Sequence, residues 1–258
     1  DIKKTLTLEE VVLEVELTTN RSDCASIFGI AREVSAILGG NLKPPRIELK
    51  ENGTSVSDLA KVEILAPQAC RRYTARIIRD LKVGSSPSWL VRKLETVGLR
   101  AINNVVDVTN YALIELGHPL HAFDYDKLCE HKIIVRFATP GEKLLTLDNE
   151  QRKLTEKNLL IADAKRPIAL AGIIGGVETS VDQSTRNVLL ESAYFVPQVV
   201  RSTARQLGID TESSYRFERG VDVENVLIAS NRACQLIQEL AGGKVASGVI
   251  DVYPQPFF

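Results

Sequence analysis

Between Gly98 and Asp126 the chain crowds polar side chains into an otherwise apolar run, among them Asn103, Asn104, Asp107, Thr109 and Asn110. Two of its three histidines, His118 and His121, follow in Gly-His-Pro-Leu-His. A stretch this polar and this hydrophobic at once either feeds an internal hydrogen-bond network or lines a pocket. A second position with chemistry is Glu191, set in Val-Leu-Leu-Glu-Ser-Ala-Tyr-Phe. A carboxylate in the middle of a buried strand is costly unless it is paired or hydrogen-bonded. A third is Pro167–Glu178, whose Ala169, Ala171, Gly172, Gly175 and Gly176 would let a packed helix or a ligand approach the backbone closely. It is no phosphate-cradling loop, because Gly176 is followed by Val177-Glu178 where Gly-Lys-Ser/Thr would be needed.

Other chemistries are weaker. His118 and His121 are expected on a loop after Gly117 and Pro119, without the i, i+4 helical spacing and third ligand that a zinc site uses. Arg71, Arg72 and Arg76 on one strand fit either a phosphate backbone or a solvated strand face. Arg216, Glu218 and Arg219 read as a structural ion-pair loop. With 32 basic and 33 acidic residues there is no global field for a polyanion, so any RNA contact must be local. Four dispersed cysteines with no C-x-x-C pair point to reduced thiols in a cytoplasmic setting. No apolar run approaches the roughly 20 residues of a membrane span. A chain without methionine that begins at Asp1 reads as a piece of a longer protein.

The elements that must position these residues follow from periodicity. Val11–Leu17 alternates as a strand. Ser22 or Asp23 would cap a helix through Leu38, which Gly39-Gly40 ends. Residues 41–58, with Pro44-Pro45 and Gly53, read as an extended connector. Strands are expected at 61–65 and 70–78, then a helix capped by Ser86 with Trp89, Leu90, Leu94 and Val97 inward. Val105–Val108 suits a short strand or turn, and Asp107 or Thr109 a cap for a helix from Asn110 to Leu116. Short strands follow at 132–135, 144–147 and 159–162, with Asp148-Asn149 as a turn between the last two. Beyond them come a strand at 188–195, a helix at 197–207, a polar loop at 211–222, a helix at 223–240 and a strand at 249–253.

Five segments carry more than periodicity: Asn20–Val34, Gly98–Asp124, Ala169–Gly176, Leu189–Phe195 and Ser213–Asp222. In order and spacing they resemble the beta subunit of bacterial phenylalanyl-tRNA synthetase, over nearly the whole chain. The resemblance implies an α+β fold of mixed, largely antiparallel sheets with packed helices. It implies a partial N-terminal segment over 1–46, a linker over 47–59, a B3/B4 editing module over 60–253, and the start of a further linker at 254–258.

It also implies an activity: hydrolysis of tyrosine wrongly esterified to tRNA(Phe). Carried over by position, Thr109, Asn110 and His121 fall on catalytic positions, and Glu191, Gly172, Ala171 and Ser213 on the substrate pocket. Ser213 departs from the alanine frequent in that family. No metal and no cofactor are implied for this piece, since ATP and magnesium serve the full enzyme elsewhere. The implied partners are tRNA(Phe) and the alpha subunit in an α2β2 assembly, with no membrane. Two other readings stand beside it: a non-catalytic module that positions tRNA and packs subunits, and a metal-dependent hydrolase using His118 and His121.

Overall fold

The computed structural model describes residues 11–257; the charged stretch Asp1–Glu10 and Phe258 lie outside them. Helix α1 (Ile27–Leu38) starts where Ser26 Oγ accepts from the Gly29 N–H at 2.9 Å, and it ends at Gly39 with φ 69°. Ser22 and Asp23, expected to cap it, form a separate 3-10 turn instead. Val11–Leu17 is not a strand. Among the described residues nothing pairs with its backbone, and a strand needs such a partner. The expected linker holds β1 (Glu51–Ser55) and a helical turn, α2 (Val56–Leu59), so its backbone is used in the fold.

β2 (Lys61–Ile64) and β3 (Cys70–Arg79) form where expected. α3 (Ser88–Thr96) begins after Pro87 with no side-chain cap. Ser86, expected to supply one, donates its hydroxyl to Asp107 Oδ2 at 2.6 Å. Of the expected inner face only Leu90 and Leu94 are buried, whereas Trp89 is 41% and Val97 43% exposed. α4 (Val106–Leu116) starts a turn before Asn110. Asn103 causes this: its Oδ1 accepts from the N–H groups of Val105 and Val106 at 3.0 and 2.9 Å, satisfying donors at the helix start. Asp107 and Thr109 therefore lie inside the helix and cap nothing, while Gly117 closes it at φ 75°.

His121 lies on a strand, β4 (Leu120–Asp124), and not on the loop that Gly117 and Pro119 suggested. β5 (Lys132–Phe137) follows. The Asp148-Asn149 turn joins β6 (Lys143–Leu145) to β7 (Gln151–Lys153), with Asn149 at φ 63°. β8 (Leu159–Ala162), expected across that turn, pairs instead with β5 and with β9 (Pro167–Leu170). β10 (Ile174–Gly175), β11 (Val188–Phe195) and α5 (Pro197–Leu207) come next. The expected polar loop at 211–222 contains α6 (Glu212–Phe217), because Thr211 and Ser214 form a reciprocal capping box. α7 (Asn225–Ala241), β12 (Lys244–Ser247) and β13 (Ile250–Val252) complete the chain.

One sheet runs β1-β12-β3-β11-β4, with β13 also on β3; a second runs β10-β9-β8-β5-β2. Pairing is antiparallel except for β1 with β12 and β2 with β5, as the mixed α+β reading requires. Side chains alternate across the first sheet. Val188 and Leu190 of β11 join Leu120, Ala122 and residues of α3, α4 and α7 in one core. Leu189 and Ala193 face the second sheet, with Tyr73, Phe123, Ile133 and Leu159. The layers are thus helices, sheet and sheet, and Glu191 points between the two sheets with its odd-numbered neighbours. Arg72 and Arg76 meet neither expectation for them. Each is 6% exposed, Arg72 holding Asp251 at 2.7 Å and Arg76 holding Glu51 at 2.7 Å.

Candidate active site

Between the sheets lies a cavity of about 40 Å³ whose lining includes His121, Gly172, Gly175, Glu191, Ser213 and Phe217. Four of the seven residues carried over by position therefore converge, His121, Gly172, Glu191 and Ser213, together with Ala169 and Gly175 of the small-residue run. β4 and β11 explain the first pairing, for His121 and Glu191 are directly opposed in the antiparallel ladder. Opposed residues put their side chains on one face, with Cβ atoms roughly 5 Å apart. Gly172 comes from the turn after β9, and Ser213 from the first turn of α6.

The Glu191 side chain is 6% exposed, and its Oε2 accepts from the Tyr73 hydroxyl at 2.7 Å. Burial pushes its pKa up to about 8, although the Tyr73 hydrogen bond favours the charged form. The carboxyl is thus mostly protonated at pH 7. His121 keeps part of its surface at the cavity, but its Nε2 is shut away from solvent with no hydrogen-bond partner. Its ring packs edge-on against Phe123, centroids 4.5 Å apart. A Cβ on Gly175 would come within 2.4 Å of that imidazole, so the ring lies directly on glycine backbone. Burial lowers the His121 pKa to about 4, leaving it neutral.

The remaining expectations divide. Ala171 is 2% exposed, and its N–H donates to Leu159 O at 3.1 Å, so it supports Gly172 from behind and offers no free amide. Thr109 and Asn110 do not line the cavity. Their helix packs on the other face of the first sheet, and the Thr109 hydroxyl donates to Val106 O at 2.7 Å. Thr109 and Asn110, expected at catalytic positions, are therefore not brought to this cavity, because their helix packs against the opposite face of the sheet. His118 lies outside the lining, fully buried and edge-on to Phe217 at 6.2 Å. The Ala193 backbone is its polar neighbour but is not in hydrogen-bond geometry, and burial lowers the His118 pKa to about 4. Arg216 and Arg219 are tied to Glu212 and Glu218, each at 2.6 Å, as the ion-pair reading has it. Sequence reasoning missed Tyr73. Nothing near it signals a role, because its partner lies 118 positions away.

These buried groups set a pH profile for stability. Glu191, raised from 4.5 to about 8, favours the fold fully below pH 4.5 and loses that contribution as pH rises through 8. His118 and His121, lowered from 6.5 to about 4, contribute above pH 6.5 and lose it as pH falls through 4. The unfolding free energy should therefore peak near pH 6.5, each group contributing a slope of up to about 1.4 kcal/mol per pH unit. Urea titrations from pH 4 to 9 measure this. Glu191→Gln should flatten the alkaline limb and, because Glu191 opposes the two histidines between pH 4.5 and 6.5, steepen the acid limb; an unchanged alkaline limb would contradict the assignment.

A family model described as the B3/4 domain matches residues 69–242. Phenylalanine–tRNA ligase beta subunit of Geobacter metallireducens is 54% identical over 251 residues, 97% of this chain and 31% of that protein. The corresponding subunit of Syntrophus aciditrophicus is 51% identical over 256 residues, 99% of this chain and 32% of that one. Among solved structures, an N-terminal fragment of the phenylalanyl-tRNA synthetase beta-subunit from Pyrococcus horikoshii matches with TM-score 0.49 and 19% identity, covering 90% of this chain and 64% of that one. The chain spans about a third of the length of the curated relatives it matches. On the family match and on identities above half across nearly all of its residues, the chain belongs to the B3/4 domain family, in the form that phenylalanine–tRNA ligase beta subunits carry.

Proposed function

We propose that the cavity is an editing site, which hydrolyses the ester of tyrosine wrongly attached to tRNA(Phe) within a phenylalanine–tRNA ligase. The observation that carries this reading is the buried Glu191 carboxyl facing a glycine-floored cavity, directly across the ladder from His121. Tyrosine differs from phenylalanine by one hydroxyl. A phenol that reaches Glu191 pairs with it, whereas a phenylalanine ring leaves a desolvated carboxyl oxygen without a partner. Sites of that kind discriminate by up to ~10⁴–10⁵. Gly172 lets the ring lie against backbone.

His121, with a pKa of about 4, is a poor proton acceptor at neutral pH. Its part is to hold the attacking water or the ester by hydrogen bonding. Two or three waters fill a cavity of about 40 Å³ and a phenol ring does not fit, so binding must widen it. On this reading the partners are tRNA(Phe) and the alpha subunit of an α2β2 assembly in the cytoplasm. ATP and magnesium would be used elsewhere in that assembly, and this stretch would need neither.

The small volume of the cavity, and a Glu191 already paired to Tyr73, favour one second reading: a non-catalytic module that positions tRNA. Deacylation of Tyr-tRNA(Phe) by the intact synthetase separates the two. Glu191→Ala should slow it about 10- to 100-fold, with circular dichroism verifying the fold. Equal rates would leave the non-catalytic module standing.

A further inference from the structure

The polar contact that Glu191 makes inside the protein comes from a residue outside the cavity. Tyr73 is fully buried on β3, and it reaches Glu191 diagonally across the β3–β11 ladder. The register explains how. Ala75 lies directly opposite Glu191 and Ala193 directly opposite Tyr73, so neither opposing side chain fills the diagonal between them. An aromatic side chain spans such an i, j±2 diagonal. The hydroxyl then closes on Oε2 at 2.7 Å. That bond occupies one acceptor site of Oε2 and fixes the plane of the group, leaving Oε1 as the freer oxygen for a ligand. A carboxyl free to rotate would offer either oxygen, in several orientations, to a water, a ring edge or a hydroxyl.

We propose that Tyr73 is a specificity-determining positioning residue, whose hydroxyl clamps Glu191 Oε2 so that a single, oriented oxygen meets the phenol of an incoming tyrosyl ester. This rests on the reading of the cavity as an ester-hydrolysing site. Tyr73 touches no substrate; it acts through Glu191. The discrimination against phenylalanine arises because an oxygen held in place, and kept from turning to another partner, is left bare by a ring without a hydroxyl. Without the clamp the carboxyl can turn back onto the protein, and the difference between the two esters shrinks.

The test uses the full synthetase with Tyr73→Phe, which keeps the ring volume and deletes only the hydroxyl. Deacylation of Tyr-tRNA(Phe) and of Phe-tRNA(Phe) is measured side by side, and the ratio of the two kcat/KM values is the readout. That ratio does not depend on how much of the variant is folded. It should fall about tenfold, in the range expected for a reacting geometry displaced by a fraction of an ångström. An unchanged ratio, whether both rates stay the same or both drop together, would overturn the proposal and leave Tyr73 as packing. Glu191→Ala is run in parallel. If it too leaves the ratio unchanged, the editing reading itself is at fault; if it alone moves the ratio, only the role of Tyr73 is lost.

Discussion

Gly172→Ala should unfold at markedly lower urea than the parent protein, with a loss of about 2–5 kcal/mol. Two independent costs add up. Gly172 sits at φ 71°, where a side chain costs about 1–2 kcal/mol. Its missing Cβ would also stand 3.0 Å from the rings of Phe195 and Phe217 and 3.2 Å from Val200. These are buried groups, with Phe195 fully enclosed, so none of them has solvent to retreat into. Overpacking of that kind typically costs about 1–3 kcal/mol. Gly208→Ala is the control. It has φ 65° but nothing within 4 Å of its Cβ, so it should show the backbone cost alone. Equal losses for the two variants would refute the packing argument.

Gly175→Ala should act on the site more than on stability. Its Cβ would meet His121 Cε1 at 2.4 Å and Nε2 at 2.7 Å, at the far end of a side chain that can rotate. Rotation relieves the clash, so the fold survives. The imidazole, however, is held on its other side by Phe123 and must leave its place opposite Glu191. On the editing reading, deacylation of Tyr-tRNA(Phe) should fall about 100-fold, the order of loss for a group misplaced by about 1 Å. Parental rates in a folded Gly175→Ala enzyme would show that His121 has no part in the chemistry.

What the sequence disclosed follows the range of the interactions involved. Glycine stops at Gly39 and Gly117, the strand around Glu191 and the helix opened by Pro197 are local matters, and they read correctly. The cap of α4 did not, because Asn103 sits two and three residues ahead of the amides it accepts from, in a segment with no helical periodicity. His121 read as loop because Gly117 and Pro119 dominate its surroundings, whereas β11, far along the chain, makes it a strand. Of the residues named from the sequence, Glu191, His121, Gly172 and Ser213 meet at one cavity, whereas Thr109 and Asn110 do not reach it. Only tertiary packing reveals that their helix covers the opposite face of the sheet. Tyr73 was invisible for the same reason.

β3 is bordered by β11 along one edge and by β12 and β13 along the other, and its Arg72 is neutralised by Asp251. This has a consequence for the order of assembly. Every neighbour that β3 requires is made later in translation, the last of them at Val252. The central sheet cannot close while the chain is being synthesised through its middle, and non-local pairing of this kind is slow. During that interval Arg72 must remain hydrated, because Asp251 comes last. The carboxyl of Glu191 gains its high pKa, and the cavity its shape, earlier, once the chain through Phe217 has been made.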